Sequence, residues 1–416
     1  MTEFGPSRPG GGIAVAALVV CASGALAGGA DGPAGGGVLR VEAGFPGGSV
    51  RVLGIDQQRR EIRFQPADHP GRGWRCWWYF KVTGVKPGQT VTLALDGSVW
   101  ACPQRAAFSI DNETWAHTAP GRKEAIGGGK RRLMVYRQRV DAGEAWFAWG
   151  PPYVPRHAET LIRRAEKACP NAKRFELCRT REKRPVPALR IAPTDGRARK
   201  RGVWVQARQH AWESGSSWVC QGLVEWLISD APRAKALRGA AEIVVVPIMD
   251  VDNVVWGAGG KNQTPHDHNR DWSDQPHWPA VAAAIREIAA LSRAGRFDVF
   301  VDLHNPGAND KQPYFYRAPA DEITERQQTS FDAFLAAARA EITGPLAFKG
   351  QTRESGKSYD KNYKRISKNW VMAHTTAHVV AVTLETPWNT PHSTQPNYRR
   401  VGRELALAVE RYLRGR

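Results

Sequence analysis

The sequence predicts an α/β domain, with a largely parallel central sheet and helices on both faces, preceded by an all-β sandwich domain. Between residues 38 and 155, short alternating or aromatic runs are separated by Gly, Pro and Asp, and helical periodicity is absent. From residue 156 onward, near-continuous apolar runs alternate with helical stretches, as strands buried on both faces require. A chain of 416 residues is too long for one ordinary domain and suits two.

The first element is not part of either domain. Residues 12–27 read GIAVAALVVCASGALA and end in Ala25-Leu26-Ala27. An apolar stretch of this length with an A-x-A end is a secretory signal, too short for a stable anchor. Residues 1–27 are therefore expected to be removed, leaving an exported chain, periplasmic or secreted, with no stable membrane insertion. Residues 28–37 read as a flexible lead-in.

In the 38–155 segment the runs LRVEAG, SVRVLG, IRFQP, RCWWYFKVTG, TVTLALDG, RRLMVYRQRV and AWFAWG are the expected strands. Its tryptophans (Trp74, Trp77, Trp78, Trp100, Trp115, Trp146, Trp149) read as core and interface packing, with a glycan site as the alternative. In the 156–416 segment, strands are expected at 203–207, 243–247, 297–303 and 379–385. Helices are expected at 217–228, 278–294, 329–342 and near 400–413.

Five cysteines remain after signal removal, Cys76, Cys102, Cys169, Cys178 and Cys220, so at least one is unpaired. Cys169 with Cys178 closes a short loop and is the first expected disulfide; Cys76 with Cys102 is the next. None has metal-ligand spacing. The net charge of +19 is concentrated in Lys130-Arg131-Arg132, 179–184 and 197–201. Such runs read as solvated basic surface, with attraction to acidic peptides or polyanionic envelope material as the alternative. No nucleic-acid motif accompanies them, so no nucleic-acid partner is expected.

In open α/β sheets, ligands bind beyond the carboxyl ends of the strands. The strand VWVQA leads into Arg208-Gln209-His210-Ala211-Trp212-Glu213, FDVFVDL into His304, and VVAVTL into Glu385. IVVVPI opens into Met249-Asp250-Val251-Asp252-Asn253 and a Gly-rich loop that reaches Asn269-Arg270. A catalytic zinc takes three protein ligands and keeps one position open. His210 and Glu213 lie in a loop entering a helix, where both can face one point, and His304 supplies a remote third ligand. A bare H-x-x-E is common by chance; the convergence of four strand ends is the signal.

Other candidate sites fall away. In His266-Asp267-His268 the neighbours of an extended loop point to opposite sides, which suits a surface or supporting role. His374 and His378 have the spacing of a zinc-protease helix but lack the glutamate that follows the first His. Ser214-Gly215-Ser216 is a helix-entry turn with no nucleophile elbow.

The ordered motifs His210-Ala-Trp-Glu213-Ser-Gly, Asp267-His-Asn269-Arg270-Asp-Trp, Asp302-Leu-His304 and Thr383-Leu-Glu385-Thr resemble the zinc carboxypeptidases related to carboxypeptidase A. Trp77-Trp78-Tyr79-Phe80-Lys81-Val82-Thr83-Gly84 resembles the amino-terminal domain of the cytosolic-carboxypeptidase branch. Together the likeness covers nearly all of the mature chain. It implies a carboxypeptidase-like α/β/α catalytic domain, one zinc ion, and hydrolysis of the carboxy-terminal residue of peptides or proteins. In that reading His210, Glu213 and His304 hold the metal, and Glu385 takes the proton of the attacking water and passes it to the leaving amine. Asn269 and Arg270 hold the substrate's terminal carboxylate, for which a planar guanidinium fork is suited. Acidic substrates are favoured by the net charge and by the resembled branch.

Three positions need comment. Relatives carry an arginine upstream of the Asn-Arg pair to steady the oxyanion; this chain has Gly259-Gly260-Lys261, one residue off register, and Lys261 is the expected substitute. His268 stands where leucine is common. Tyr363 is the expected substrate-covering tyrosine, with Tyr359 as competitor, and the side-chain pocket is expected between Tyr359 and Trp388. The rival functions are a cell-wall peptide amidase on the same scaffold, a zinc deacylase related to aspartoacylase, and a non-catalytic glycan- or peptide-binding protein.

Overall fold

Burial at every position marks the central strands. Ala241–Val246, Val299–His304 and Val380–Glu385 have no exposed residue, and Arg201–Ala207 is buried beyond its first position. Val, Ile and Leu fill both faces, so these segments are stable only inside a layered fold. The structure is a computed structural model that describes residues 37–126, 131–193 and 201–416.

The large sheet has eight strands. Arg201–Ala207 lies between Ala241–Val246 and Val299–His304, which in turn pairs with Val380–Glu385, all parallel. An antiparallel hairpin of Ala172–Arg179 and Pro185–Ile191 extends one side, and Tyr314–Arg317 with Thr352–Glu354 extends the other. Helices cover both faces, as expected. Val203, Val205 and Ile243 face Leu223, Leu237 and Ala406 on one side. Phe300, at the alternate position, meets Trp272, which packs on Trp370 of the helix Ser367–His374.

The helix Ser214–Leu227 begins directly after Glu213 and docks against Gln395–Arg414. Gly222 makes the contact possible: a Cβ there would lie 1.9 Å from the Arg399 carbonyl oxygen. The other expected helices appear as Pro279–Arg293 and Glu325–Glu341, the latter opened by a Thr324/Gln327 capping box.

The β-rich half is two five-stranded sheets. One holds Arg40–Glu42, Tyr79–Thr83, Glu144–Ala148, Ala107–Ser109 and Ala116–His117; the other holds Arg51–Asp56, Glu61–Gln65, Gln89–Leu95, Arg131–Val140 and Arg122–Ile126. Phe64 of the second sheet packs edge-on against Phe80 of the first at 5.0 Å, which is sandwich packing. The tryptophans are packing elements. Trp77, Trp78, Trp115 and Trp149 are buried, and Trp149 reaches across to Trp212 and Trp388 at 4.9 and 4.4 Å.

Backbone pairing also joins the halves. The Gly260 and Thr264 amides donate to the carbonyls of Arg72 and Gly71 at 2.9 and 2.8 Å, and the Trp74 amide donates to the Lys261 carbonyl at 2.9 Å. Gly73, at φ 90°, sits where a Cβ would be 2.4 Å from that same Lys261 oxygen. The β-rich half therefore supports the loop that carries Lys261.

The expected disulfides are absent: all five described cysteines are thiols. Between Cys169 and Cys178 the chain is an extended strand rising about 3.3 Å per residue, which holds them far beyond the roughly 7 Å Cα limit. No described helix is long and apolar enough to cross a membrane. Residues 1–27, where the signal is expected, and residues 197–200 of the last basic run lie outside the described residues.

Candidate active site

Register brings the site together. His304 and Glu385 are paired neighbours at the ends of adjacent parallel strands. One strand further on, Arg201–Ala207 ends and the backbone turns at Arg208, whose φ of 63° lies in the left-handed region rare for a bulky side chain. The buried Arg208 guanidinium holds this turn, donating to the carbonyls of Ala211 and, at 3.1 Å, Tyr153. The turn aims His210 back across the sheet edge, and Glu213 follows at the helix entrance.

His210 Nδ1 lies 2.8 Å from Glu213 Oε1, and His304 Nδ1 lies 2.8 Å from Glu213 Oε2. One ligand atom from each of the three residues lies within 4.8 Å of the others, the only such group of His, Cys, Asp or Glu among the described residues. The outer ring nitrogens are also engaged. His304 Nε2 is 2.9 Å from Asp302 Oδ2, and His210 Nε2 is 3.5 Å from Asp267 Oδ1. The carboxylate behind the His304 imidazole fixes the tautomer that leaves its Nδ1 free for a metal, while Asp267 and the Lys261 ammonium stand 3.5 Å behind His210 Nε2. Asp302 is anchored in turn by Gln209 at 2.5 Å and Ser367 at 2.6 Å. Asn305 donates its amide to Glu213 at 3.1 Å and its side-chain nitrogen to the Thr386 carbonyl at 2.6 Å, tying the two strand ends together.

Electrostatics favour a cation at the centre. Burial alone would raise the Glu213 carboxyl, but His210 and His304 outweigh it and bring the group below its ordinary range. Burial would lower His304, yet Asp302 and Glu213 raise it well above the usual imidazole value. Positive charge is thus stabilised among these atoms, and two imidazoles with one carboxylate are the donor set of a catalytic zinc site. Glu385 adjoins them, buried, with Oε2 lacking any hydrogen-bond partner. Burial pushes its carboxyl up, His304 opposes this, and Glu213 and Asp302 add to the rise. An orphaned, buried carboxylate oxygen is an acceptor awaiting a bound group.

The pocket extends from His210, His304 and Glu385 to Asn269, Arg270, Tyr316, Tyr359 and Lys368. Asn269 Nδ2 lies 3.4 Å from His304 Nε2, and its Oδ1 accepts from the Ser367 amide at 3.0 Å. Arg270 donates through Nε to Asp360 at 2.7 Å and through Nη1 to the Asn269 carbonyl at 3.0 Å, with its guanidinium 5.8 Å from the Tyr359 ring.

Two expected residues sit elsewhere. Lys261 lies behind His210, its Nζ 3.5 Å from Nε2 and 3.2 Å from Asp267, so it joins the carboxylate that backs the imidazole and does not line the pocket. The clamp from residues 71–74 fixes the loop in that direction. Tyr363 turns outward and donates its hydroxyl to Glu322, because it begins a short 3-10 turn facing away from the cavity. Tyr359 is the tyrosine beside Arg270.

Lys368 has no counterpart in the sequence reading. Fully buried at 0 % exposure, it donates from Nζ to Ser355 Oγ, to Asn369 Oδ1 at 2.6 Å and to the Arg317 carbonyl at 2.9 Å. Burial drives its ammonium well below the ordinary lysine value. In sequence it resembles any surface lysine at a helix start, and nothing local distinguishes it. His268 stacks on Trp278 at 4.9 Å, bonded to Gln263, and the other rejected motif stays structural: His374 stacks on Trp370 at 4.3 Å.

Fold and donor set define an α/β protein with a single metal-binding centre at the carboxyl edge of its sheet. The chain belongs to the zinc carboxypeptidase family, whose model matches residues 158–397. Cytosolic carboxypeptidase 6 of Caenorhabditis elegans is 25% identical over 291 residues, covering 64% of this chain and 62% of that protein. An uncharacterized protein of Zymomonas mobilis is 26% identical over 244 residues, 57% of this chain and 60% of that one. The chain thus spans only about 60% of the length of these curated relatives. Among solved structures, a metallo-carboxypeptidase from Burkholderia cenocepacia superposes with a TM-score of 0.75 at 20% identity, covering 91% of this chain and 100% of that one. A metallo-carboxypeptidase from Pseudomonas aeruginosa, in complex with (2-guanidinoethylmercapto)succinic acid, gives 0.73 at 22% identity, covering 89% and 98%. At these identities the structures establish a shared fold, sandwich included.

Proposed function

We propose that this protein is an exported zinc metallocarboxypeptidase that removes the carboxy-terminal residue of peptides or proteins. The observation that carries the reading is the meeting of His210, Glu213 and His304 beside an unpartnered Glu385 oxygen. His210, Glu213 and His304 would hold the zinc, which when bound supplies Lewis-acid chemistry, polarising the scissile carbonyl and activating water. Glu385 receives the proton of the attacking water on its open oxygen and delivers it to the leaving amine. Arg270 and Asn269 orient the substrate by its terminal carboxylate, which makes the enzyme an exopeptidase. Asp302 keeps the His304 imidazole turned toward the metal, and Asp267 lies behind His210.

The pocket chemistry also supports an acidic terminal side chain. Arg270 is a cationic donor in the cavity, and a carboxylate there would favour the charge that burial disfavours on the neighbouring Lys368, whose Nζ hydrogens are already taken by Ser355, Asn369 and the Arg317 carbonyl. Export rests on the apolar 12–27 stretch and its A-x-A end.

Incubation of the zinc-loaded protein with a mixed peptide library, read by mass spectrometry, tests the reading. Single-residue losses from carboxy-termini, richest for Glu and Asp, are expected, with turnover at least about a hundredfold lower in Glu385→Gln at equal zinc content. A parent protein inert on every peptide while binding glycans through its β-rich half would favour the binding-protein rival. The mass of the mature amino-terminus checks export.

A further inference from the structure

Arg270 is the residue on which carboxylate recognition rests, and a flexible guanidinium is useful for that only if its fork is aimed. In this chain a second carboxylate reaches it from the loop that also carries Tyr359. Asp360 Oδ2 accepts from Arg270 Nε at 2.7 Å, while its Oδ1 accepts the Asn362 amide at 2.7 Å, closing a tight turn. Both residues are largely shielded, with side-chain exposures of 12% for Arg270 and 26% for Asp360. Nη1 gives one hydrogen to the Asn269 carbonyl. Asp360 therefore holds the Nε edge, and the edge between Nη1 and Nη2 keeps hydrogens to donate.

The contact admits two opposite meanings. A carboxylate across the Nη1–Nη2 fork would mimic the substrate and compete with it. A carboxylate on Nε alone instead fixes rotation about the last side-chain torsion and leaves the fork open. The ion-paired atom here is Nε. Burial would raise the Asp360 carboxyl, but Arg270 and the Asn362 amide outweigh it and keep it ionised. The ring of Tyr359, 5.8 Å away, bounds the guanidinium on another side.

We infer that Asp360 is a positioning residue that aims the Arg270 fork at the terminal carboxylate of the substrate. This rests on the carboxypeptidase reading of Arg270. It adds a determinant of exopeptidase selectivity, the discrimination between a free acid and its amide, that lies on a loop and not in the motif carrying Arg270.

The test uses full-length zinc-loaded protein carrying Glu385→Gln, so that ligand is bound and not cleaved. Calorimetry compares an N-acetylated tetrapeptide ending in glutamate with its carboxy-terminal amide. The parent should favour the acid. Adding Asp360→Asn, which keeps an oxygen for the Asn362 amide, should shrink the acid-to-amide ratio by about tenfold, with amide affinity and zinc content unchanged. A merely structural loop residue would lower both affinities together. An unchanged ratio overturns the proposal, and an increased ratio overturns it by showing that Asp360 competes with substrate. A parent ratio near one is a different failure, because it sinks the carboxylate role of Arg270 itself and this proposal with it. Asp360→Glu, which retains the charge but displaces it by a methylene, should recover part of the ratio.

Discussion

On one wall of the pocket, His304 and Glu385 stand side by side because two parallel strands pair in register, and a third strand end delivers His210 and Glu213. On the other wall, Arg270 and Tyr359 come from loops, with Asp360 bracing Arg270; behind the first wall, Lys261 comes from a loop clamped by residues 71–74 of the β-rich half. The first wall is buried, and Glu213 is hydrogen-bonded to both imidazoles, while Glu385 Oε2, Trp212 Nε1 and Ser214 Oγ have no hydrogen-bond partner. The second runs from Arg270, 12% exposed and ion-paired to Asp360, to Tyr359, 47% exposed. Metal ligation needs donor atoms fixed to a fraction of an ångström, which a sheet edge provides. Substrate recognition tolerates, and product release requires, a wall that can yield.

This contrast predicts effects of graded size. The largest belongs to the sheet-edge wall. Glu213→Ala should weaken zinc binding by more than about a hundredfold, since even the hydrogen-bond partners of metal ligands are worth about 10–100-fold. Competition against a chromophoric chelator measures it, and near-parental affinity would break the assignment of the metal site.

Lys261→Ala comes next. Because Nζ sits behind His210 against Asp267, the loss should appear as roughly tenfold weaker zinc binding, with kcat of the zinc-saturated enzyme within about threefold of the parent. A fall in kcat of about 10²–10³ at full zinc occupancy would instead assign Lys261 the oxyanion role that the sequence suggests.

The smallest effect concerns the seam beside the clamp on the Lys261 loop. Glu182 bridges Arg72 of the β-rich half and Arg184 of the α/β half at 2.5 and 2.6 Å. Burial would raise its carboxyl, but Trp256, Arg184 and Arg72 outweigh this and bring it down to about 2. A depressed carboxyl contributes stability above its ordinary value of 4.5 and loses it as pH falls toward about 2. The parent should therefore melt about 1–2 °C above Glu182→Gln at pH 7, with the gap closing between about pH 4.5 and 2. A gap that persists at the acid end would place its origin in packing and not in charge.

Much of the site was legible because strand-end residues announce themselves. An apolar run followed at once by His or Glu states both where the chain is buried and what it delivers, as at His304 and Glu385, while His210 and Glu213 are read from the loop that follows a third such run. Loop residues carry no such label. Tyr363 and Tyr359 are equivalent in sequence, and only the turn beginning at Asn362 sends one outward and leaves the other beside Arg270. Lys368 looks like surface until helices and strands close over it. The cysteines misled because their separation along the chain is short while the intervening strand is extended.

By itself the sequence determined the alternation of strands and helices, the β-rich preamble and the residues at the carboxyl edge, since all three follow from periodicity and from what each residue type can bury. The tertiary structure alone decided which tyrosine and which basic side chains face the cavity, how Asp302 and Asp267 brace the imidazoles, and how residues 71–74 hold the Lys261 loop. Those choices depend on contacts between segments far apart in the chain, where no local pattern records the partner.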